Sequence, residues 1–493
     1  MSEFSNLLNT YIHQKGYSIR SLAKRAGIPV ATLTKICSGS RSPRNQRERI
    51  NRISDVLMLT PSQQDLLNSM LEKEIVGAEN YISRTSMKAL IEGMSCTVRT
   101  LQPQPMRTVL PPLSTAEKRT DVYALIRTFL ENATQGQTLD IYLQPRDPVV
   151  LEALCRVVDG GTTKVRHILT LTASDGKHGV VDSHNLDDIR RIQPLLLNIC
   201  NNKDVYQPYY YYEHTAASSS SVLQFPVVMI SEQGVLRCTA DYSHAIYSAD
   251  SIVLKYFQRL FRIQLSGCRP LAKFSTGMHE QIIRYSTAMQ SGDPEERLLI
   301  LEWQPCLMQT VQEQEVIQFL PENIPFRNEY ISLYLPYLRK IKQWKKSTMF
   351  FAREGLEAFA RNGRLQEIPE ELLSGPLPVS MRIELLRRLL DQTQKGNISP
   401  YIVRDEKFRI GPDTQLISYG SDTILLASLN HAAGNRTCFI EELSTNWSAL
   451  DFLENLEATD WFFSVEETCQ VIRNIMKECF QEEMVQSNAL SVQ

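Results

Sequence analysis

Nine basic side chains lie between positions 20 and 52: Arg20, Lys24, Arg25, Lys35, Arg41, Arg44, Arg47, Arg49 and Arg52. Only Glu48 opposes them. The segment thus carries an excess of eight positive charges in a chain of 493 residues whose formal charge is −2. The chemistry open to such a cluster is neutralisation of a polyanion. Duplex DNA presents about one negative charge per 1.7 Å, so a patch of this kind attracts it and releases counterions. A solvated charged surface has the same composition, and the elements that carry the charges decide between the two.

Those elements are two short helices. Ser18 suits the cap of a helix holding Ile19, Leu22 and Ala23, because its hydroxyl satisfies an orphan backbone N–H. Gly27 supplies a turn and Ile28 an apolar anchor. Pro29 fits the start of the next helix, where its missing N–H is not needed. That helix, Val30 to Ser38, turns Leu33 and Ile36 inward, and Gly39 can end it in the left-handed conformation. Small Ala23 lets the two helices approach closely. Two short helices joined by a tight glycine turn make a helix-turn-helix.

Leu22-Ala23, Gly27-Ile28, Thr32-Leu33, Ile36, Gly39 and Pro43 resemble the pattern of the phage-repressor-like (xenobiotic-response-element type) helix-turn-helix family. The resemblance extends upstream to a helix Phe4–Lys15 with Leu7, Leu8, Tyr11 and Ile12. Downstream it takes in Gln46–Leu57 with Ile50, Ile53 and Leu57, and Thr60-Pro61-Ser62 opening Gln63–Leu71. Pro29 and Ile19 stand where that family often has a capping serine and an early glutamine. The resemblance implies a regulator whose second helix enters the major groove through its N-terminal part. Val30, Ala31, Thr32 and Lys35 would then face the bases. Ala31 or Thr32 would touch a thymine methyl and Lys35 would donate to guanine O6 or N7. Thr34, Ser40, Arg41 and Arg44 would hold phosphates, which position without specifying. Leu22, Ala23, Ile28, Leu33 and Ile36 would be core. A homodimer is implied, since one short helix reads few base pairs.

The whole chain is 43% hydrophobic and 22% charged, a globular balance that excludes a disordered or fibrous protein. The expected fold class is an α N-terminal helix-turn-helix domain of four to five helices plus a large mixed α/β C-terminal region. Residues 1–71 form the first domain. A helical connector (Leu71–Val98) and a proline-rich linker (Gln102–Pro105, Pro111-Pro112) occupy 72–114. Two α/β domains follow, 115–270 and 271–480, and 481–493 is a flexible tail. In the first α/β domain, helices are expected from Ala116 to Asn132 and at Val149–Val158, Leu186–Cys200 and Ser251–Leu265. Its strands are expected at Leu139–Leu143, Val165–Thr172, Val205–Tyr212, Val222–Ile230 and Val235–Ala240. The second has strands at Leu298–Trp303, Pro400–Val403, Gln415–Tyr419, Thr423–Leu429 and Thr437–Glu441, with helices at Gly355–Asn362, Met381–Gln394 and Glu466–Phe480. The run Met349–Phe359 reads as core packing. Ala245–Val253 and Trp461–Cys469 echo each other as an apolar run, a serine and an acid opening a helix. Two ordinary helix starts explain that echo as well as a duplicated domain does.

This C-terminal body holds no P-loop, G-x-S-x-G, H-E-x-x-H or dinucleotide fingerprint, and the chain reads as a non-enzyme. The stretch 115–270 faintly resembles the phospholipase-D-like sensor regions of some bacterial regulators. The H-x-K-x(4)-D motif of that superfamily is absent, for His167, His178, His184, His214 and His244 all lack a lysine two residues on. His178, His184, Asp182 and Asp187 match no ligand spacing, so no metal and no cofactor are expected. Tyr209–Tyr212 would place two rings on each face of a strand, either to stack on a ligand or to cover loops beside a sheet edge. Ten scattered cysteines without a C-x-x-C pair suit a reducing cytosol. No run reaches the ~18 apolar residues of a membrane span, and Met1–Asn6 lacks a signal-peptide layout. The chain therefore reads as cytoplasmic, of bacterial or phage origin and nucleoid-associated when on DNA. Its body would sense a small-molecule or peptide ligand or assemble subunits. The alternative is an enzyme or toxin-like effector that uses the helical module for targeting or autoregulation.

Overall fold

The computed structural model describes residues 2–40, 47–94, 109–133, 137–159, 163–173, 183–199, 205–213, 225–275, 278–368, 375–420, 423–430 and 436–490. The chain forms two compact units, Met1–Thr85 and Ser86–Asp175 with His184–Gln493.

The first unit is helical: α1 Glu3–Gln14, α2 Ile19–Ala26, α3 Val30–Cys37, α4 Arg47–Val56, α5 Pro61–Val76 and the start of α6, Ala78–Met94. Its caps follow from sequence chemistry. Ser18 and Ser21 form a reciprocal capping box at α2, and Thr60 and Gln63 form another at α5, where Pro61 opens the helix. Gly27 (φ +65°) and Gly39 (φ +71°) both take the left-handed conformation, which a Cβ disfavours. Past Gly39, the Ser40 N–H reaches back to the Lys35 carbonyl and the Gly39 N–H to that of Ile36, the six-to-one and five-to-two bonds of a Schellman ending. Leu8, Leu22, Ala23, Leu33, Ile36, Ile50 and Ile53 make the shared core. The expected single connector helix Leu71–Val98 is instead two helices, α5 and α6, separated at Gly77.

The second unit contains two sheets. The first half of the chain supplies β1 Leu113–Ala116, α7 Arg119–Glu131, β2 Thr138–Tyr142, α8 Pro148–Asp159, β3 Lys164–Thr172, α9 Ser183–Ile199, β4 Tyr206–Glu213, β5 Val227–Ile230, β6 Val235–Cys238, β7 Ala245–Ser248, α10 Ser251–Ser266 and β8 Arg269–Pro270. The second half supplies β9 Ala272–Ser275, α11 Met278–Ser291, β10 Leu298–Glu302, α12 Glu313–Phe319, α13 Arg327–Ile341, β11 Ser347–Phe351, α14 Arg353–Asn362, α15 Val379–Gln394, β12 Ile398–Ile402, β13 Thr414–Tyr419, β14 Ile424–Asn430, β15 Arg436–Ile440, α16 Leu443–Asn455 and α17 Val465–Leu490.

The sheets share one topology. The first runs β1-β7-β6-β5-β2-β3-β4-β8 and the second, read from its far edge, β9-β15-β14-β13-β10-β11-β12. In each, three parallel strands (β2-β3-β4, β10-β11-β12) meet an antiparallel meander at the first of them. Helices make the parallel crossovers, as they must. The architecture is therefore duplicated, but not in the frame that the echo suggests. The counterpart of β7 and α10 is β15 and α16, whereas Trp461–Cys469 leads into α17 and contributes Phe462 to an isolated bridge with Val403.

One apolar cluster draws on both sheets, including Leu139, Ile141 and Val165 from the first and Leu299, Leu301 and Phe350 from the second. The 115–270 and 271–480 segments thus each build a sheet but share a core. A second cluster lies on the other face of the second sheet, against α13, α14 and α15. Both faces of β10 and β11 are covered, so LLILE and STMFF are wholly buried and read as continuous rather than alternating runs.

Three expectations change. Residues 113–116 form a strand ahead of α7, and Pro112 accepts a hydrogen bond from the Ala249 N–H, so the end of the proline-rich stretch belongs to the first sheet. The helix expected to stop near Phe480 continues to Leu490. The tyrosine strand is not an edge, because β3 flanks it and β8 pairs with Tyr209 and Tyr210. Its rings are engaged within the protein. Tyr206, Tyr210 and Tyr212 join the cluster shared by the two sheets, and Tyr209 and Tyr211 pack with Ile168, Ile230, Val235 and Phe261 in a separate one. Tyr211 also shares a 2.6 Å hydrogen bond with Tyr142. Among the described residues, no helix is long and apolar enough to cross a membrane.

Candidate nucleic-acid interface

Helix α3 has two faces of opposite character. Leu33, Ile36 and Cys37 are buried, and burial pushes the Cys37 thiol up to about 11, so it packs as a neutral hydrophobe. On the other face Ala31, Thr34 and Lys35 are exposed, Val30 is 44% exposed, and Thr32 is half-buried. An exposed valine at the start of a helix among basic neighbours is what a groove-reading face requires. Thymine methyls are apolar, and the phosphates beside them are anionic.

The inward face is fixed by more than apolar contact. Ser5 on α1 donates its hydroxyl to the Ile36 carbonyl at 2.9 Å, and the Asn9 amide donates to the Cys37 carbonyl, also at 2.9 Å. These are terminal carbonyls of α3, which lack partners inside their own helix. Two polar residues, four apart on an otherwise apolar stripe of α1, thus set the position of α3. Neither was singled out from the sequence. Their polarity at inward-facing positions was the available signal.

The phosphate candidates divide. The Thr34 hydroxyl donates to the Val30 carbonyl at 2.9 Å, so a phosphate oxygen would compete for that proton. The Ser40 hydroxyl lies 2.8 Å from that of Ser38 at the exposed end of α3. Arg41 and Arg44 lie outside the described residues. Arg20, Lys24 and Arg52 are exposed. Arg25 is held against Tyr17, with its guanidinium carbon 5.4 Å from the ring centre and a 2.9 Å hydrogen bond to the phenol oxygen. His178 and Asp182 lie outside the described residues, and Asp187 pairs with Arg190 and Arg191.

This pair of helices, with a left-handed glycine between them and an exposed polar face on the second, defines a helix-turn-helix DNA-binding module. Residues 8–68 match the model of the Cro/C1-type HTH DNA-binding domain family, and the N-terminal unit is a domain of that type. No curated protein matches the chain. Solved structures that resemble it include phosphatidylserine synthase of Haemophilus influenzae Rd KW20, at 11% identity and TM-score 0.24, covering 77% of this chain and 94% of that one. Another is TrmBL2, an archaeal chromatin protein, at 12% identity and TM-score 0.22, covering 51% of this chain and 87% of that one.

Proposed function

We propose that this chain is a sequence-specific transcription regulator of bacterial or phage type, working in the cytoplasm. Its α3 reads operator DNA, and residues 86–493 hold two copies together or respond to a small-molecule or peptide ligand. The observation that carries the reading is the exposed face Val30, Ala31, Thr34 and Lys35 on a helix whose opposite face is locked by Ser5 and Asn9. An exposed stripe along α10, with Ile252 at 77%, Tyr256 at 59%, Leu260 at 41% and Ile263 at 60% exposure, supports self-association, because apolar residues grouped on one face commonly mark interaction surfaces. A ligand would act by binding one arrangement of the body more tightly than another.

Genome-wide mapping of bound DNA tests the reading. Discrete sites built from two related half-sites about one helical turn apart are expected. Diffuse binding without a common sequence would contradict it.

A further inference from the structure

The second sheet holds a group of side chains that its fold does not require. Glu302 ends β10, Cys306 lies in the loop that follows, and Glu367 lies beyond α14. Their donor atoms are all within 4.8 Å of one another. Glu302 is 1% exposed, and its Oε2 has no hydrogen-bond partner. Neither does Oε1 of Glu367. The other oxygen of Glu302, Oε1, accepts from the Gln415 amide at 3.1 Å, and the Gln415 carbonyl accepts in turn from the Tyr285 hydroxyl. No lysine or arginine lines the adjoining cavity. A carboxylate buried without a basic partner is costly, and here the buried Glu302 meets the half-buried Glu367.

A separate observation marks the same space as a ligand site. Gln281 on α11 lines the cavity and is 7% exposed, and its Oε1 has no partner. The cavity measures about 30 Å³. One water needs roughly 10–15 Å³, so an ion with a water fits and an organic ligand does not. The position is also where open α/β sheets place ligands. It lies at the carboxyl end of β10, where the chain leaves towards β11 on one side while antiparallel β13 lies on the other. The duplicated fold provides an internal control. At the matching pair of the first sheet, Tyr142 stands opposite Val228, where the second has Glu302 opposite Gln415. The same strand order therefore forms without an acid there.

We propose that Glu302, Cys306 and Glu367 form a site for a divalent transition-metal ion of the zinc type, with Gln415 orienting Glu302. A thiolate and two carboxylates suit zinc, and at its usual bond lengths the donors of a tetrahedral site lie roughly 3.5 Å apart. The three donors draw together on binding, and Gln281 or water completes the set. This site lies outside the DNA-binding reading, and its test uses no DNA, so either can fail alone.

The test takes the full-length chain, stripped with a chelator and titrated with Co²⁺ or Zn²⁺ alone. One equivalent of Co²⁺ is expected to bind with a sulfur-to-cobalt charge-transfer band that Cys306→Ser abolishes. Glu302→Gln and Glu367→Gln should weaken Zn²⁺ binding at least tenfold, and Gln415→Leu about 10–100-fold, the usual effect of losing an outer partner. X-ray absorption at the zinc edge of the unsubstituted chain reads the donor set even where a variant fails to fold, and one sulfur among oxygen neighbours is expected. Absence of stoichiometric binding, a band that survives in Cys306→Ser, or a zinc shell without sulfur would overturn the site.

Discussion

The Ser5 hydroxyl, buried on α1, donates to the Ile36 carbonyl at the end of α3 over 2.9 Å. It ties α3, the helix proposed to read DNA, to a helix that carries none of the candidate contacts. Removing the donor leaves the Ile36 carbonyl with the Gly39 N–H alone, at a cost of about 0.5–1.5 kcal/mol. Ser5→Ala should therefore speed amide exchange along α3 in the full chain and weaken operator binding together. Unchanged protection of α3 would show that apolar packing alone sets its position.

Lys35 is exposed on the outward face of α3, while Arg25 is held against Tyr17. Lys35→Ala should weaken specific binding by about 1–3 kcal/mol and relax preference at one base position. A salt-controlled shift assay on the mapped operator reads this. An operator affinity that does not change would remove Lys35 from the base-reading set.

Ile252 and Ile263 lie on the exposed stripe of α10. Placing a glutamate at both should convert an associated form to monomer in light scattering, with operator affinity falling because paired half-sites no longer cooperate. A doubly substituted chain that keeps its parent's mass would place the contact elsewhere.

His167 is wholly buried on β3. Its Nδ1 lies 2.7 Å from the Tyr206 hydroxyl and its Nε2 3.0 Å from the Leu143 carbonyl. The carbonyl can only accept, so Nε2 carries the proton and Nδ1 accepts from Tyr206. Burial holds the ring's pKa down at about 4, against a smaller upward pull from the Leu143 carbonyl. An unfolded histidine takes up a proton near pH 6.5. The stabilisation from keeping this ring neutral is therefore complete above about 6.5 and lost as pH falls towards 4, by up to about 1.4 kcal/mol per pH unit. Thermal melts should show a steeper loss of stability between pH 7 and 5 for the parent than for His167→Gln. Equal slopes would mean that the ring titrates normally.

Local pattern reaches far in this chain where the determinants are short in range. The helices α1 to α4 and the start of α5 follow from Ser18, Gly27, Thr60-Pro61 and the spacing of Leu8, Leu22, Leu33 and Ile50, because caps and one-sided burial act within a few residues; the end of α5 at Val76 does not. The apolar runs at β2, β3, β10 and β13 were legible for the same reason. Helix α13 was not, with Pro336 inside it reading as a breaker. Helix α16 was not either. Its Leu-Ser-Thr-Asn start looks like a loop, but Glu442, fully buried, accepts from the Ser444 and Thr445 N–H groups at 3.0 and 2.8 Å and also from the Tyr212 hydroxyl. Tyr212 comes from the other sheet.

The amino-acid sequence alone thus determined the helix-turn-helix, its polarity and its charge, since each depends on neighbours along the chain. Only the tertiary structure decided that two unlike sequences repeat one strand order, that the tyrosine strand is internal, and that Glu367 comes beside Glu302 and Cys306 from more than sixty positions away. Strand pairing and burial join residues that no local periodicity relates, and a buried carboxylate looks in sequence like any exposed one until its surroundings are assembled.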